Sequence, residues 1–237
     1  MAAPSRTLER IALETYWLPR ERVVFIPNGV DAERFRPGRD LEMRAELGLG
    51  EDEFVVGTVG RLRGEKDLPT LVRRFKEAGI AGARLVVVGD GPERGAIEAA
   101  VREAGMEGAC VFTGEQKETE RYFRAFDLFA MSSITEQMPV GLLEAMASGL
   151  AAVCTAAGDT AEILKGGPER QVFGMGDAEG YVAALRRMAA ERGARERAGG
   201  WNRRTAVEGY SLRTMVGGWR HLYGQALNVK AMPAGEH

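Results

Sequence analysis

Arg61, Lys66, Glu136 and Glu144 carry most of the chemistry that this sequence offers. Arg61 and Lys66 lie in Gly60-Arg-Leu-Arg-Gly-Glu-Lys66, just ahead of a helical stretch. Two cations before a helix N-terminus make a seat for a diphosphate, since their charge adds to the unbonded N–H groups of the first turn. The plainer reading is a pair of solvated surface cations. Glu136 and Glu144 stand with seven residues between them in Ser132-Ser-Ile-Thr-Glu-Gln-Met-Pro-Val-Gly-Leu-Leu-Glu-Ala-Met-Ala-Ser-Gly149. Pro139 suits a first helical position, because its missing N–H would be unbonded there anyway. The expected helix therefore runs from about Pro139 to Ser148, with Gly149 as its stop. Glu136 then falls in the entry loop and Glu144 within the helix, sharing a face with Gly141, Ala145 and Ser148. A carboxylate on a stripe of small residues above a helix N-terminus reads as a ligand seat. The plainer reading is a solvated glutamate and one that serves the helix dipole.

The elements that must position these residues follow from the apolar pattern. Residues 5–17 read as an amphipathic helix with Leu8, Ile11, Ala12 and Tyr16 on one face. Arg22 to Ile26 reads as a short buried strand, ended by Pro27-Asn-Gly29, and Leu41 to Leu47 as a short helix. From residue 53 the alternation is regular. Strands are expected at 54–59, 84–88, 109–112, 127–131 and 151–155, with an edge strand at 171–173. Helices are expected through about 78 and 104, at 117–125 and 162–164, and after Asp177 at 177–192, 194–208 and 211–227. Near-continuous apolar strands alternating with helices imply an α/β fold, a Rossmann-like doubly wound parallel sheet with helices on both faces. In such sheets ligands bind beyond the carboxyl ends of the strands, where strand order reverses. Gly60 to Lys66, Gly89 to Pro92, Thr113-Gly114 and Ser132 to Glu136 should therefore meet on one rim. Gly89-Asp-Gly91 brings backbone close to a ligand, although an isolated Gly-x-Gly is a weak signal. The dinucleotide fingerprint does not follow the first strand, which argues against a nicotinamide cofactor.

Composition narrows the classes further. The net charge of −2 and the lack of a basic run argue against nucleic acid as a partner. His221 and His237 are the only histidines, so a histidine-based metal site or catalytic triad is excluded, and no metal is expected. Cys110 and Cys154 fall in apolar runs and read as reduced core residues of a cytoplasmic protein. No apolar run is long enough for a transmembrane segment, and Met1-Ala-Ala-Pro-Ser5 lacks the core of a signal peptide.

The order of these pieces resembles the C-terminal half of retaining glycosyltransferases with the GT-B fold. The likeness is to the family called family four, or group one, which includes sucrose-phosphate-synthase-like and mannosyltransferase enzymes. It rests on Ile26-Pro-Asn-Gly-Val-Asp31, Gly60-Arg61-Leu62 with Lys66, Val88-Gly-Asp-Gly-Pro92, Phe112-Thr-Gly114, and Glu136 to Glu144 in Leu-Glu-Ala-Met-Ala-Ser-Gly. It covers roughly residues 20–190. The resemblance implies that Arg61 and Lys66 hold the diphosphate of a donor and stabilise the leaving group without a metal. Glu144 would bind both hydroxyls of the nucleotide ribose, and Glu136 would lie by the donor sugar. Backbone N–H groups of Gln137, Met138, Val140 and Gly141 would meet sugar and phosphate, with Gly60 and Gly89 nearby. Phe112 and Thr113 would lie close to the base. No cofactor is implied beyond the donor, a UDP- or GDP-linked sugar. The acceptor would be a glycan, a lipid or a small molecule.

Three departures qualify the likeness. Glu136-Gln-Met replaces the common Glu-Gly-Phe, which puts a bulkier neighbour at the sugar, and Gly149-Leu-Ala-Ala-Val replaces Gly-Leu-Pro-Val-Val. The N-terminal, acceptor-binding domain of such enzymes has no counterpart in this sequence. The implied organisation is a junction helix at 1–20, a nucleotide-sugar-binding domain at 21–195 and C-terminal helices at 196–237. The partner would be the missing domain or a separate acceptor-binding subunit, and activity without it would be weak or absent. Apolar residues on the terminal helices, among them Trp219 and Tyr223, would face that partner or pack on the sheet itself. A non-catalytic nucleotide-sugar-binding or scaffold subunit, and a GT-B sugar-nucleotide epimerase, stand as alternatives. A peripheral place at a membrane surface is compatible with a lipid acceptor.

Overall fold

The computed structural model describes residues 1–230, so His237 and the end of the C-terminal segment lie outside it. Six parallel strands form the main sheet: β3 (Val55–Val59), β4 (Arg84–Val88), β5 (Cys110–Phe112), β6 (Leu128–Met131), β7 (Ala152–Thr155) and β8 (Val172–Phe173). A two-stranded parallel sheet outside it pairs β1 (Ala2–Ala3) with β2 (Val24–Phe25). The main sheet has the order β5-β4-β3-β6-β7-β8. The chain builds outward from β3 to one edge, then returns beside β3 and builds to the other. The reversal between β3 and β6 opens a crevice at their carboxyl ends.

Period-two geometry sends successive strand side chains to opposite faces, and both faces are apolar. Val56, Leu85, Val87, Leu128 and Val153 enter one core, beneath α3 (Leu68–Ala78), α4 (Arg94–Glu103) and α8 (Ala178–Ala190). Val55, Val86, Val88, Phe129, Ala152 and Cys154 enter the other, beneath α5 (Thr119–Ala125) and α6 (Val140–Ala147). The remaining helices are α1 (Arg6–Glu14), α2 (Leu41–Glu46), α7 (Thr160–Ile163), α9 (Arg192–Gly209) and α10 (Leu212–Lys230). Burying a Val or Leu side chain in such a core contributes roughly 1.5–3 kcal/mol. Helix starts use local chemistry: Ser5, Asp40 and Asp177 accept the N–H of Leu8, Met43 and Gly180.

Several expectations shift. The strand read at Arg22–Ile26 shortens to β2, half-buried and separate from the main sheet, because its partner is the extended Ala2-Ala3. Pro139 is the cap of α6 rather than its first residue: its ψ of 106° is extended, while its carbonyl already accepts from Leu142 and Leu143. Ser148 is the C-cap, and Gly149 follows at φ +76°, the left-handed stop. Tyr16, assigned to the apolar face of the first helix, is 71% exposed, since α1 ends at Glu14. Ala12 packs instead with Ala3 and Val23. On α10, Val216, Tyr223 and Leu227 are exposed and Trp219 stacks on Tyr223.

Candidate active site

Lys66, Arg61 and Glu136 converge at the crevice between β3 and β6. A cavity of about 400 Å³, its open mouth included, is lined there by Gly60, Arg61, Lys66, Ser133, Glu136 and Gly141, among others. The Lys66 Nζ donates to Glu136 Oε1 at 2.5 Å, and Ser133 Oγ donates to the same oxygen at 2.8 Å. Arg61 is exposed, and its guanidinium makes no side-chain bond among the described residues.

The loops that carry these groups are stitched together. Lys66 closes a short 3-10 turn, Gly64–Lys66, and Asp67 follows at φ +42° and ψ 48°, a left-handed conformation unusual for a residue with a side chain. Ser132 Oγ bonds to the carbonyls of Lys66 and Asp67 at 2.8 and 2.9 Å, which secures that turn. Ile134 N donates to Glu65 O, and Thr155 Oγ1 donates to Ser133 O at 2.6 Å. The loops after β3, β6 and β7 thereby hold one another. A fourth tie comes from Asp159, whose N–H donates to Gln137 O. The Asp159 carboxylate accepts from Arg6 N, Thr7 N and Thr7 Oγ1, so it also seats the start of α1.

Beside the first cavity lies a second, of about 510 Å³, lined by Val59, Gly60, Arg61, Gly89, Asp90, Glu115, Gln116 and Thr119. Arg61 borders both. Gly89 is required here: at φ +131°, a Cβ on it would lie 1.9 Å from Gly60 O. Its N–H donates to Gly114 O, which joins the loops after β4 and β5. The N–H of Gly91, with Arg94 and Arg61, holds the Asp90 carboxyl below its usual range.

Not every expected residue reaches these cavities. Gly60, Arg61, Lys66, Glu136, Gly141 and Gly89 line them; Phe112, Thr113, Gln137, Met138, Val140 and Glu144 do not. Phe112 lies under Arg94, 5.8 Å from its ring centroid, and Gln116 Nε2 donates to Thr113 O. Met138 is buried, and its sulfur accepts from Asn28 N. Yet the N–H groups of Gln137, Met138, Val140 and Gly141 donate to no group among the described residues, and form an unbonded row at the start of α6. The small-residue stripe of α6 does not offer a ligand surface as a whole. Ala145 and Ser148 are buried, and α9 packs so closely that a Cβ on Gly199 would meet Gly149 O at 2.0 Å.

Glu144 sits half-buried, its side chain without a hydrogen bond among the described residues. Burial pushes its carboxyl up to about 7; nearby Arg34 opposes the rise and Glu120 adds to it. Arg34 is held by Glu120 Oε2 at 2.8 Å and by Lys117 O. Arg203 fixes the loop that carries Arg34, since its Nη1 donates to Ala32 O, Phe35 O and Ala147 O. The loops of Ser133 and Asp90 were expected on the rim, but Ser133, Asp90, Gln116 and Arg34 were not named individually as site residues; single polar side chains in loops carry no periodic signal.

Among the described residues no group of His, Cys, Asp and Glu has the arrangement of a metal site, and no helix is long and apolar enough to cross a membrane. The resting geometry presents a cation pair, a carboxylate and a helix N-terminus to one crevice, which together can bind an anionic group and an adjoining polyhydroxylated one.

A sulfoquinovosyl transferase of Arabidopsis thaliana is 36% identical over 178 residues, covering 71% of this chain and 33% of that protein. The chain thus spans about a third of that relative's length. HepE of Anabaena, solved in complex with UDP, superposes with a TM-score of 0.85 at 19% identity, covering 96% of this chain and 63% of that one. The C-terminal domain of a glycosyl transferase group 1 family protein (LpcC) from Francisella tularensis superposes at 0.68 with 21% identity, covering 78% of this chain and 100% of that one. The fold is accordingly Rossmann-like, the C-terminal half of a GT-B architecture. The sequence model described as Glycosyl transferases group 1 matches residues 40–204, and the chain belongs to that family.

Proposed function

We propose that this chain is the donor-binding half of a glycosyltransferase, taking a nucleoside diphosphate sugar and passing the sugar on with retained anomeric configuration. The observation that carries this reading is the meeting of Arg61, Lys66 and the free N–H row of α6 around one crevice, with Glu136 at its side. In this reading the diphosphate lies against Arg61 and Lys66, whose charge stabilises the departing nucleotide in place of a metal. Glu136 and the N–H groups of Gln137 to Gly141 face the sugar. The nucleoside extends past the second cavity, with the base toward Phe112 and Thr113 and the ribose hydroxyls toward Glu144, residues that lie outside its lining. A carboxylate accepts two hydroxyls at once, and does so best when ionised.

UDP and GDP donors are the first to test, since the structural neighbour HepE was solved in complex with UDP. The acceptor, whether glycan, lipid or small molecule, would be positioned by another domain or subunit, and turnover by this half alone would be slow because that positioning is lost. The exposed apolar residues of α10 and Trp17, 83% exposed, support a covered face in the working assembly. A cytoplasmic setting fits the unpaired Cys110 and Cys154. Calorimetric titration with UDP, GDP and ADP, beside Glu144→Ala, tests the reading. Saturable binding of one nucleotide, lost in the variant, is expected. Absence of binding by all three from a folded sample would sink the donor-site assignment and favour a scaffold subunit.

A further inference from the structure

We propose that Ser133 is a positioning residue whose hydroxyl keeps the Glu136 carboxylate aimed into the cavity when an incoming diphosphate draws Lys66 away. The inference rests on the reading above of Lys66 as a phosphate ligand and Glu136 as the sugar-side carboxylate. In the resting protein one oxygen, Glu136 Oε1, accepts both from Lys66 and from Ser133. An incoming diphosphate competes with Glu136 for the same ammonium. The diphosphate carries more charge than one carboxylate, so the ammonium is drawn towards it.

The two partners differ in what they can do next. The side chain of Lys66 is 28% exposed, on a flexible four-carbon stem. Ser133 is fully buried, and its carbonyl is fixed by Thr155, itself buried. The Lys66 backbone is equally fixed, through Ser132 Oγ. Lys66 can therefore swing while Ser133 stays. The Glu136 side chain is only 11% exposed, and a carboxylate so shielded would be poorly stabilised without any donor. The Ser133 hydroxyl is the donor that remains. It holds Oε1 and leaves Oε2 directed to the sugar.

The readout is the ratio of affinities for a nucleotide sugar and for its own nucleoside diphosphate, measured calorimetrically with UDP-glucose against UDP and with GDP-mannose against GDP. Ser133→Ala should lower that ratio about tenfold, the weight of one hydrogen bond to a charged group. An unchanged ratio overturns the inference. A second measurement needs no nucleotide: the rate at which an amine-reactive anhydride labels Lys66, followed by mass spectrometry. Without Ser133, Glu136 Oε1 bonds to Lys66 alone, so Ser133→Ala should slow labelling about threefold. Glu136→Gln should speed it. Equal rates in Ser133→Ala and the parent would show that Ser133 has no hold on Glu136. Failure of all four nucleotides to bind would count against the proposed function, while the labelling rate still decides the role of Ser133.

Discussion

Glu144→Gln should make the protein more stable and less able to bind nucleotide. The side chain keeps its volume, so packing in α6 is unchanged. What changes is the charge that burial penalises. The Glu144 carboxyl is pushed from 4.5 up to about 7 in the folded chain. Below pH 4.5 it is neutral whether folded or unfolded, and no penalty exists. Between 4.5 and 7 the unfolded chain releases the proton and the folded chain does not, so stability falls as pH rises. Above 7 the penalty is complete. At about 1.4 kcal/mol per pKa unit this amounts to on the order of 3 kcal/mol. Glutamine carries no such penalty, so the variant should match the parent near pH 4.5 and exceed it at pH 8. For a chain of this size the gain corresponds to roughly 5–10 °C in Tm. Urea unfolding of both proteins at pH 5, 6, 7 and 8 reads the difference directly. If the two unfolding free energies stay within about 0.5 kcal/mol of each other at every pH, Glu144 is solvated and the reasoning is wrong.

The parent's nucleotide affinity should also depend on pH: it should rise through pH 7 as Glu144 ionises, and a flat titration from pH 6 to 8 would remove Glu144 from the ribose contact. Arg61→Ala should weaken UDP about ten- to hundredfold and uridine hardly at all; equal losses for the two would contradict the diphosphate assignment. Gly89→Ala should lower stability by more than about 2 kcal/mol, because its Cβ would meet Gly60 O at a left-handed φ. A Tm equal to that of the parent would mean that the loops after β3 and β4 are not packed as described.

The sheet was legible because its inner strands bury both faces and therefore show as near-continuous apolar runs, Arg84 to Val88 being the plainest. The position of the site followed from topology, since each loop of unusual chemistry comes after a strand. Arg61, Lys66 and Glu136 could be named because the order of motifs around them resembles a known family; their charge and spacing alone read equally as solvated surface groups. Ser133 could not, because a serine in a loop looks the same whether it orients a carboxylate or faces water. The β1–β2 pairing rests on two residues in each strand, too few for any period to show. The ties from Asp159 to Arg6 and Thr7 cross more than 150 positions of sequence, and only the folded chain brings them together. Glu144 was assigned from its setting in the helix and the family resemblance, but its absence from both cavity linings is a matter of three-dimensional packing that the sequence does not show.

Asp159 has one hand on α1 and the other on the residue next to Glu136. Gly158 adds to this grip, since a Cβ there would lie 2.2 Å from Glu136 O. The first turn of α1 and the Gln137-Met138 peptide therefore form one mechanical unit, connected by a side chain and a single amide. A tilt of α1 cannot occur without either breaking those bonds or carrying the Gln137 carbonyl with it. Trp17 lies just beyond the far end of that helix and is open to solvent, so with Trp201 and Trp219 replaced its emission would test whether helix and loop move together.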